Sequence, residues 1–263
     1  MLIRSWNLFH GNTVPPGRHA HLDEMIRLAT ADDPDVLCVQ EVPAWALGRF
    51  TVGDVAARPA LGPLPISRSI GGRLTDLHHG LLRSLFAGQG NAIRLSNELR
   101  VLDHRVLTLN SGRFRRRQAR SLRLDLVARL AWAKERRIVQ AVRVADRDGK
   151  QFLVANLHCT SYRPDQRLAE AELLRAAWFA VSLARPEDVV VLAGDFNVIE
   201  LKSQTLRDLT GPDWRFSAAG PGVDHILVRG AARVSTLRRW DDDRRVHGSA
   251  LLSDHAPLEL DLD

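Results

Sequence analysis

The feature that most constrains this chain is a repeated one: an apolar run of strand length that meets a carboxylate, an amide or an imidazole at its end. It is clearest in "DVVVLAGDFNV". There Val189 to Leu192 lead through Ala193 and Gly194 to Asp195 and Asn197, with Phe196 between them. The same ending recurs at Asn7 in "LIRSWNL", at Gln40 and Glu41 in "DVLCVQE", and at Asn156 and His158 in "VANLHC". Asp224 opens "VDHILV", and Ser253, Asp254 and His255 stand just before the last strand in "LSDHAPLEL". Short apolar runs bounded by turn residues read as buried strands. Residues two apart on an extended segment project to one side. That expectation puts Asp195 and Asn197 on a common face and turns Phe196 into the core.

The rest of the chain fits a mixed α/β pattern. Leu22, Met25, Ile26 and Ala29 recur at helical spacing after the first strand. Residues 54–90 are punctuated by Pro and Gly and read as loop, with a short helix expected in "TDLHHGLLRSLF". "NAIRL" and "LRVLDHRVLTL" read as strands, and the basic stretch from Arg113 to Arg137 carries a helical stripe of Leu122, Leu126 and Leu130. "IVQAVRVAD" and "KQFLVANLHC" predict a hairpin around Arg147 to Lys150, where "DG" supplies the turn. Residues 165–184 predict a helix with Leu168, Ala171, Leu174, Trp178 and Val181 on one side. No composition shift marks a linker and no repeat appears. One domain over residues 1–263 is expected, with two packed sheets flanked by helices.

Charge and cysteine content narrow the chemistry. The net charge is +6, largely from arginine, which suits a polyanionic partner such as nucleic acid, a nucleotide or an anionic lipid. Two cysteines, Cys38 and Cys159, exclude a disulfide scaffold and a Cys-rich zinc site. The N-terminus is too short and polar for a signal peptide and no run of 18 apolar residues occurs, so a soluble, cytoplasmic, monomeric protein without membrane insertion is the expectation.

A single strand-end Asp or Asn is explained by turn formation. Six such strand termini in one chain favour a shared site. Carboxylate and amide oxygens are the ligands of a hard divalent cation, and imidazoles beside them hold or protonate a phosphate oxygen. That combination points to metal-assisted phosphoryl chemistry. The ordered series "SWNL", "VQE", "NLH", "GDFN", "VDHILV" and "SDHAPL" resembles the endonuclease/exonuclease/phosphatase superfamily, whose members include deoxyribonuclease I, exonuclease III, sphingomyelinases and inositol polyphosphate phosphatases. The resemblance runs from Asn7 to Pro257. It implies a four-layered α/β sandwich, two mixed β-sheets face to face with helices outside, and an active site at one end.

It also implies roles. Glu41 would be the main Mg²⁺ ligand (Mn²⁺ as substitute), supported by Asn7 and Asp254. Asp195 and Asn197 would position the attacking water and the phosphate. His158 and His255 would stabilise developing charge, Asp224 fixing His255 in one tautomer. Asn91 and Arg137 are candidate substrate contacts. The structural alternatives are a surface ion pair for Glu41, a turn residue for Asn7, and capping for Asp195 and Asn197. The sequence departs from the repair branch of the superfamily after Asn7: "LFHG" has no acidic residue two positions on, and Phe9 offers no ligand. His158 also speaks against abasic-site endonucleases. His225 reads as structural, Cys38 as core, Cys159 as near the site but unpaired, and His10, His19, His21, His78, His79, His104 and His247 as loop or surface residues. The run 113–120, "RFRRRQAR", admits either phosphate neutralisation or a solvated charged face. The expected activity is a nuclease. The alternatives are a lipid or inositol phosphoesterase, or a catalytically silent binding module.

Overall fold

The computed structural model describes residues 1–15, 17, 20–56, 88–217 and 219–263. The helix expected in "TDLHHGLLRSLF", and most of the 54–90 loop reading, lie outside the described residues. The first strands in chain order are β1 (Leu2–Asn7), β2 (Thr13–Val14), β3 (Val36–Pro43), β4 (Val52–Val55), β5 (Gln89–Leu95), β6 (Arg100–Thr108) and β7 (Ile138–Ala145). They are followed by β8 (Gln151–His158), β9 (Val189–Asp195), β10 (Asp224–Arg229), β11 (Arg238–Arg239), β12 (Val246–His247), β13 (Ala250–Leu252) and β14 (Leu258–Asp261). One sheet has the order β11-β14-β1-β3-β5-β4 and the other β10-β9-β8-β7-β6, with a small third sheet β12-β13-β2.

Each large sheet holds one parallel pair, β1 with β3 and β8 with β9. A parallel pair needs a crossover. The helices Leu22–Ala29 and Arg167–Leu183 supply the two crossovers and cover the outer faces. The alternating side chains of β9 show why its sequence is apolar throughout. Val189, Val191 and Ala193 pack between the sheets against Cys38, Val154 and Ile226, while Val190 and Leu192 pack outward with Leu173, Ala176 and Ala180 of the long helix. The result is helix, sheet, sheet, helix, as expected from the sequence. The β7–β8 hairpin also forms, with Gly149 at φ +83° in its turn.

Two amphipathic stripes do not lie where the spacing put them. In Arg167–Leu183 the buried face is Leu168, Ala169, Glu172, Leu173, Ala176, Ala177 and Ala180. Leu174 and Trp178 face outward, Trp178 being 61% exposed and packed edge-on against Trp214. Apolar residues occur on nearly every side of this helix, so periodicity alone could not choose. The alanine face wins because small side chains let the helix approach the sheet closely. The basic stretch is two helices, Gly112–Ser121 and Leu126–Ala133, broken where Arg123 takes φ +51° and Asp125 caps the second by accepting from Ala128 N at 2.7 Å. Ala119, Leu124, Ala128 and Trp132 are the buried residues. Leu126 (69% exposed) and Leu130 (62%) are not.

Two of the polar strand ends hold the sheets together. Gln40 Nε2 donates to Asn156 Oδ1 at 2.9 Å, and Asn156 Nδ2 donates to the carbonyls of Val39 (2.9 Å) and Ala92 (2.8 Å) across the sandwich. Gly194 sets the close approach of β8 and β9. It sits at φ +144°, and a Cβ there would lie 2.0 Å from Leu157 O. Gly194→Ala is therefore expected to destabilise the fold by about 3 kcal/mol or more, read as a shifted urea midpoint, because neither strand backbone can yield.

Candidate active site

Strand register assembles half of the site. His158 at the end of β8 pairs with Asp195 at the end of β9, and Asp195 pairs with Asp224 at the start of β10. Three consecutive strands of one sheet thus deliver an imidazole and two carboxylates side by side. The other sheet contributes Asn7 and Glu41 through a bulge. Between Val39 and Val42 the register of β3 shifts, so Gln40 and Glu41 together face Asn91, and Glu41 takes φ +53°. Plain alternation would send Glu41 to the helix side with Leu37 and Val39; the extra residue re-aims it at the facing sheet.

Asn7 joins the halves. Its Nδ2 donates to Asp195 Oδ2 at 3.0 Å and lies 3.4 Å from Glu41 Oε1, while its Oδ1 accepts from Phe9 N at 3.0 Å. His158 Nε2 lies 3.4 Å from Asp195 Oδ2 and 3.7 Å from Glu41 Oε1. His255 Nδ1 bonds Asp224 Oδ2 at 2.8 Å, and its Nε2 is 3.8 Å from both Asp195 Oδ2 and Asp254 Oδ1. Asp254 stays half-exposed beside it.

The "SDH" turn is fixed from behind by its own Ser253 and by Arg245, which the sequence reading did not single out. Ser253 Oγ donates to Asn7 O at 2.7 Å and accepts from His255 N at 3.1 Å. The buried Arg245 donates from Nη1 to the carbonyls of Leu252, Ser253 and His255 at 2.8, 3.0 and 2.8 Å. No sequence signal marks Arg245, since its partners at this turn are main-chain oxygens and its carboxylate partner is the neighbouring Asp242, at 2.6 Å.

Electrostatics separate the carboxylates. Burial, reinforced by Asp224 and Glu41, pushes Asp195 up to about 7 against the pull of His255. Burial opposes the charging of His255, but its hydrogen bond to Asp224 and the carboxylates of Asp195, Asp224 and Asp254 outweigh that and raise it to about 10. Burial and then the Arg137 guanidinium hold His158 well below the usual imidazole range. Burial works against the ionised form of Glu41, yet His10 and Arg137 draw its carboxyl below the ordinary range. Burial and then the Glu41 and Asp224 charges raise Asp254, against His255.

Two expected residues, Asn197 and Asn91, sit differently from the sequence reading. Asn197 is not on an extended segment: β9 stops at Asp195 and Asn197 is left-handed at φ +51°. Its N donates to Asp195 Oδ1 and its Nδ2 to Cys159 O, both at 3.0 Å. Asp195 therefore caps the turn with one oxygen and faces the site with the other, and Phe196 is fully buried as expected. Asn91 lies buried opposite the bulge and donates to Ile138 O at 3.3 Å. Arg137 is buried against the site, with Nη1 3.0 and 3.2 Å from the two His158 ring nitrogens and Nη2 2.7 Å from Glu135 Oε2. His10, read as a loop residue, is at the centre: its Nε2 lies 3.0 Å from Glu41 Oε2. His225 is structural, accepting from Gly220 N at 3.1 Å, with Nε2 3.0 Å from Val198 O. A cavity of about 310 Å³ opens beside Glu41 and His10, walled by Lys134, Glu135, Arg137 and Thr160.

The donor set fits a divalent cation. Four carboxylates, Glu41, Asp195, Asp224 and Asp254, converge with the amide of Asn7, and mutual repulsion is already visible in the raised Asp195. Asp195, Asp224 and His255 alone bring ligand atoms within 4.8 Å of one another. Within this trio His255 is tied to Asp224, and the surrounding carboxylates favour its charged form over a ligand's lone pair. Glu41 is the natural anchor for a hard ion. Among the described residues, no helix is long and apolar enough to cross a membrane.

Comparison with known proteins agrees. Residues 5–255 match the model of the Endonuclease/Exonuclease/phosphatase family. A comparison with curated protein sequences finds no match. Among solved structures, an endonuclease/exonuclease/phosphatase from Bacteroides vulgatus superposes with a TM-score of 0.65 at 16% identity, covering 100% of this chain and 98% of that one. The human Nocturnin catalytic domain with bound sulfate anion gives 0.64 at 17%, covering 100% and 94%. D. rerio TDP2 complexed with single strand DNA product gives 0.63 at 12%, covering 100% and 98%. The match begins in β1 and ends on His255, so the segments that build the site are the segments that match: the chain belongs to the endonuclease/exonuclease/phosphatase family of metal-dependent phosphoester hydrolases.

Proposed function

We propose that this chain is a single-domain, monomeric nuclease that hydrolyses phosphodiester bonds by attack of water on phosphorus, with Mg²⁺ or Mn²⁺ as its cation. The observation that carries this reading is the opposed pair Asp195 and His255. A buried carboxylate near 7 faces an imidazolium near 10 across 3.8 Å, so base and acid coexist at neutral pH. Asp195, held by Asn7, takes the proton of the attacking water. His255, held by Asp224, offers its Nε2 proton to a phosphoryl oxygen. Arg137, fixed by Glu135 and His158, puts positive charge on the cavity wall, where the phosphoryl group would lie. Glu41, with Asn7 and Asp254, would hold the cation, which when bound withdraws charge from the phosphoryl oxygens.

Nucleic acid leads as substrate because the helix Gly112–Ser121 exposes Arg113, Arg116, Arg117 and Arg120. The single strand DNA product in D. rerio TDP2 and the sulfate in human Nocturnin support an anionic occupant. A lipid phosphoester is the second reading. It is favoured by the exposed Leu126, Val127 and Leu130 on the helix whose Ala131 lines the cavity. DNA, RNA, sphingomyelin and phosphoinositides assayed side by side, with Mg²⁺, Mn²⁺ and EDTA, separate these readings. Metal-dependent turnover of DNA or RNA is expected. Turnover of lipid alone would remove the nuclease reading. If bis-p-nitrophenyl phosphate and all four substrates stay intact, a silent binding module is left.

A further inference from the structure

We propose that the imidazole of His10 is a direct nitrogen ligand, beside Glu41, of the divalent cation, so that this centre prefers first-row transition ions to Mg²⁺. The inference rests on the metal-dependent reading above and goes beyond it in naming the ligand and the selectivity.

The backbone around His10 is built to aim it. Phe9 and His10 both take left-handed dihedrals, φ +46° and +55°, inside the turn Phe9–Gly11. Non-glycine residues are strained in that region and persist where surrounding structure enforces them. Here Phe9 N donates to Asn7 Oδ1, and Asn12 N donates to Phe9 O at 2.8 Å. Asn7, already bonded to Asp195, therefore fixes the start of the turn. The outcome is a largely buried imidazole whose Nε2 lies 3.0 Å from Glu41 Oε2, at the mouth of the cavity. Two adjacent ligands of a six-coordinate ion with bonds of about 2.1 Å are also about 3.0 Å apart, so carboxylate and imidazole need not move to share one ion.

The other imidazoles nearby are committed elsewhere. His158 Nε2 lies 3.7 Å from Glu41 Oε1 and closer, at 3.4 Å, to Asp195 Oδ2, and the Arg137 guanidinium packs against its ring, with Nη1 3.0 and 3.2 Å from the two nitrogens. His255 gives Nδ1 to Asp224, and its Nε2 faces Asp195 and Asp254 at 3.8 Å each. Among the described residues, His10 is thus the imidazole nearest the Glu41 carboxylate. An imidazole among the oxygen ligands favours transition ions, whereas Mg²⁺ favours oxygen throughout.

The test is pulsed electron paramagnetic resonance of the Mn²⁺-loaded full chain, with titration calorimetry for Mn²⁺, Co²⁺ and Mg²⁺. Wild type should show ¹⁴N modulation that becomes ¹⁵N modulation on labelling histidine. His10→Ala should lose it and lower the Co²⁺-over-Mg²⁺ preference about tenfold. His10→Asn, which tolerates the left-handed turn and brings an oxygen, should lose the nitrogen signal while still binding Mn²⁺. Modulation that persists in both variants, or Mn²⁺ bound to wild type without any, overturns the assignment and leaves His10 a hydrogen-bond partner of Glu41. Failure of wild type to bind any of the three ions overturns the metal-dependent reading as well.

Discussion

Asp195→Asn is expected to cut turnover about a thousandfold or more, while making the metal-free protein more stable at pH 8. The two effects share one cause. Asp195 is buried and raised to about 7, so its folded-state affinity for a proton exceeds that of an unfolded aspartate with its ordinary value of 3.8. Stability is then largest below the unfolded value and is lost as pH rises through the folded one. Above that range the ionised carboxylate is a cost, of the order of 1–4 kcal/mol. An amide removes the cost and with it the base. It loses something in return, because Asn7 Nδ2 donates to Asp195 Oδ2 and cannot donate to an amide nitrogen. The net gain in Tm should therefore be clear at pH 8 in EDTA and shrink towards pH 5, where wild-type Asp195 is itself protonated. In wild type, kcat/KM should rise through an acid limb near 7 and fall through an alkaline limb near 10, the macroscopic limbs of the Asp195–His255 pair. A variant that stays active, or whose stability gain does not depend on pH, would show that Asp195 serves the turn alone.

Glu41→Gln is expected to abolish metal-dependent turnover to a similar extent, with the opposite sign on stability. Glu41 is drawn below the ordinary carboxylate range, so its ionised form is favoured by folding. That contribution is present above the unfolded value of 4.5 and disappears as pH falls towards the folded one. The amide gives it up, and metal-free Glu41→Gln should be less stable than wild type at pH 7 by about 1 kcal/mol. Cation affinity should fall about a hundredfold, because the side chain keeps an oxygen but loses its charge. Calorimetry on the metal and a denaturant midpoint in EDTA read the two effects separately. Unchanged cation affinity would remove Glu41 from the centre. Two carboxylates bridged by the one Asn7 amide thus carry opposite stability signatures, and only their surroundings distinguish them.

Much of this was legible in the residues themselves. Apolar runs such as Val189–Leu192 must be buried on both faces, which demands a layer on each side and leads to a sandwich with outer helices. Each polar end stood out because a carboxylate or imidazole does not belong on a buried strand without a task. The helix faces were not legible. In Arg167–Leu183 the apolar residues nearly encircle the helix, and only contact with the sheet chose Ala176 and Ala180 over Trp178. Nor was His10 legible, because its importance comes from a left-handed turn and a bulge that place it against a residue 31 positions away.

Taken alone, the order of strands and their polar ends determined the architecture and the kind of chemistry, because burial and ligand hardness depend on residue type. Which polar ends meet was decided by tertiary structure. Gln40 and Asn156 became clamps between sheets, Asn91 was buried opposite a bulge, and Asn7, Glu41, His158, Asp195, Asp224, Asp254 and His255 gathered at one end. A strand turns alternate residues to opposite faces, so a single bulge or left-handed residue reassigns a side chain from core to site, and no local pattern records which partner then faces it.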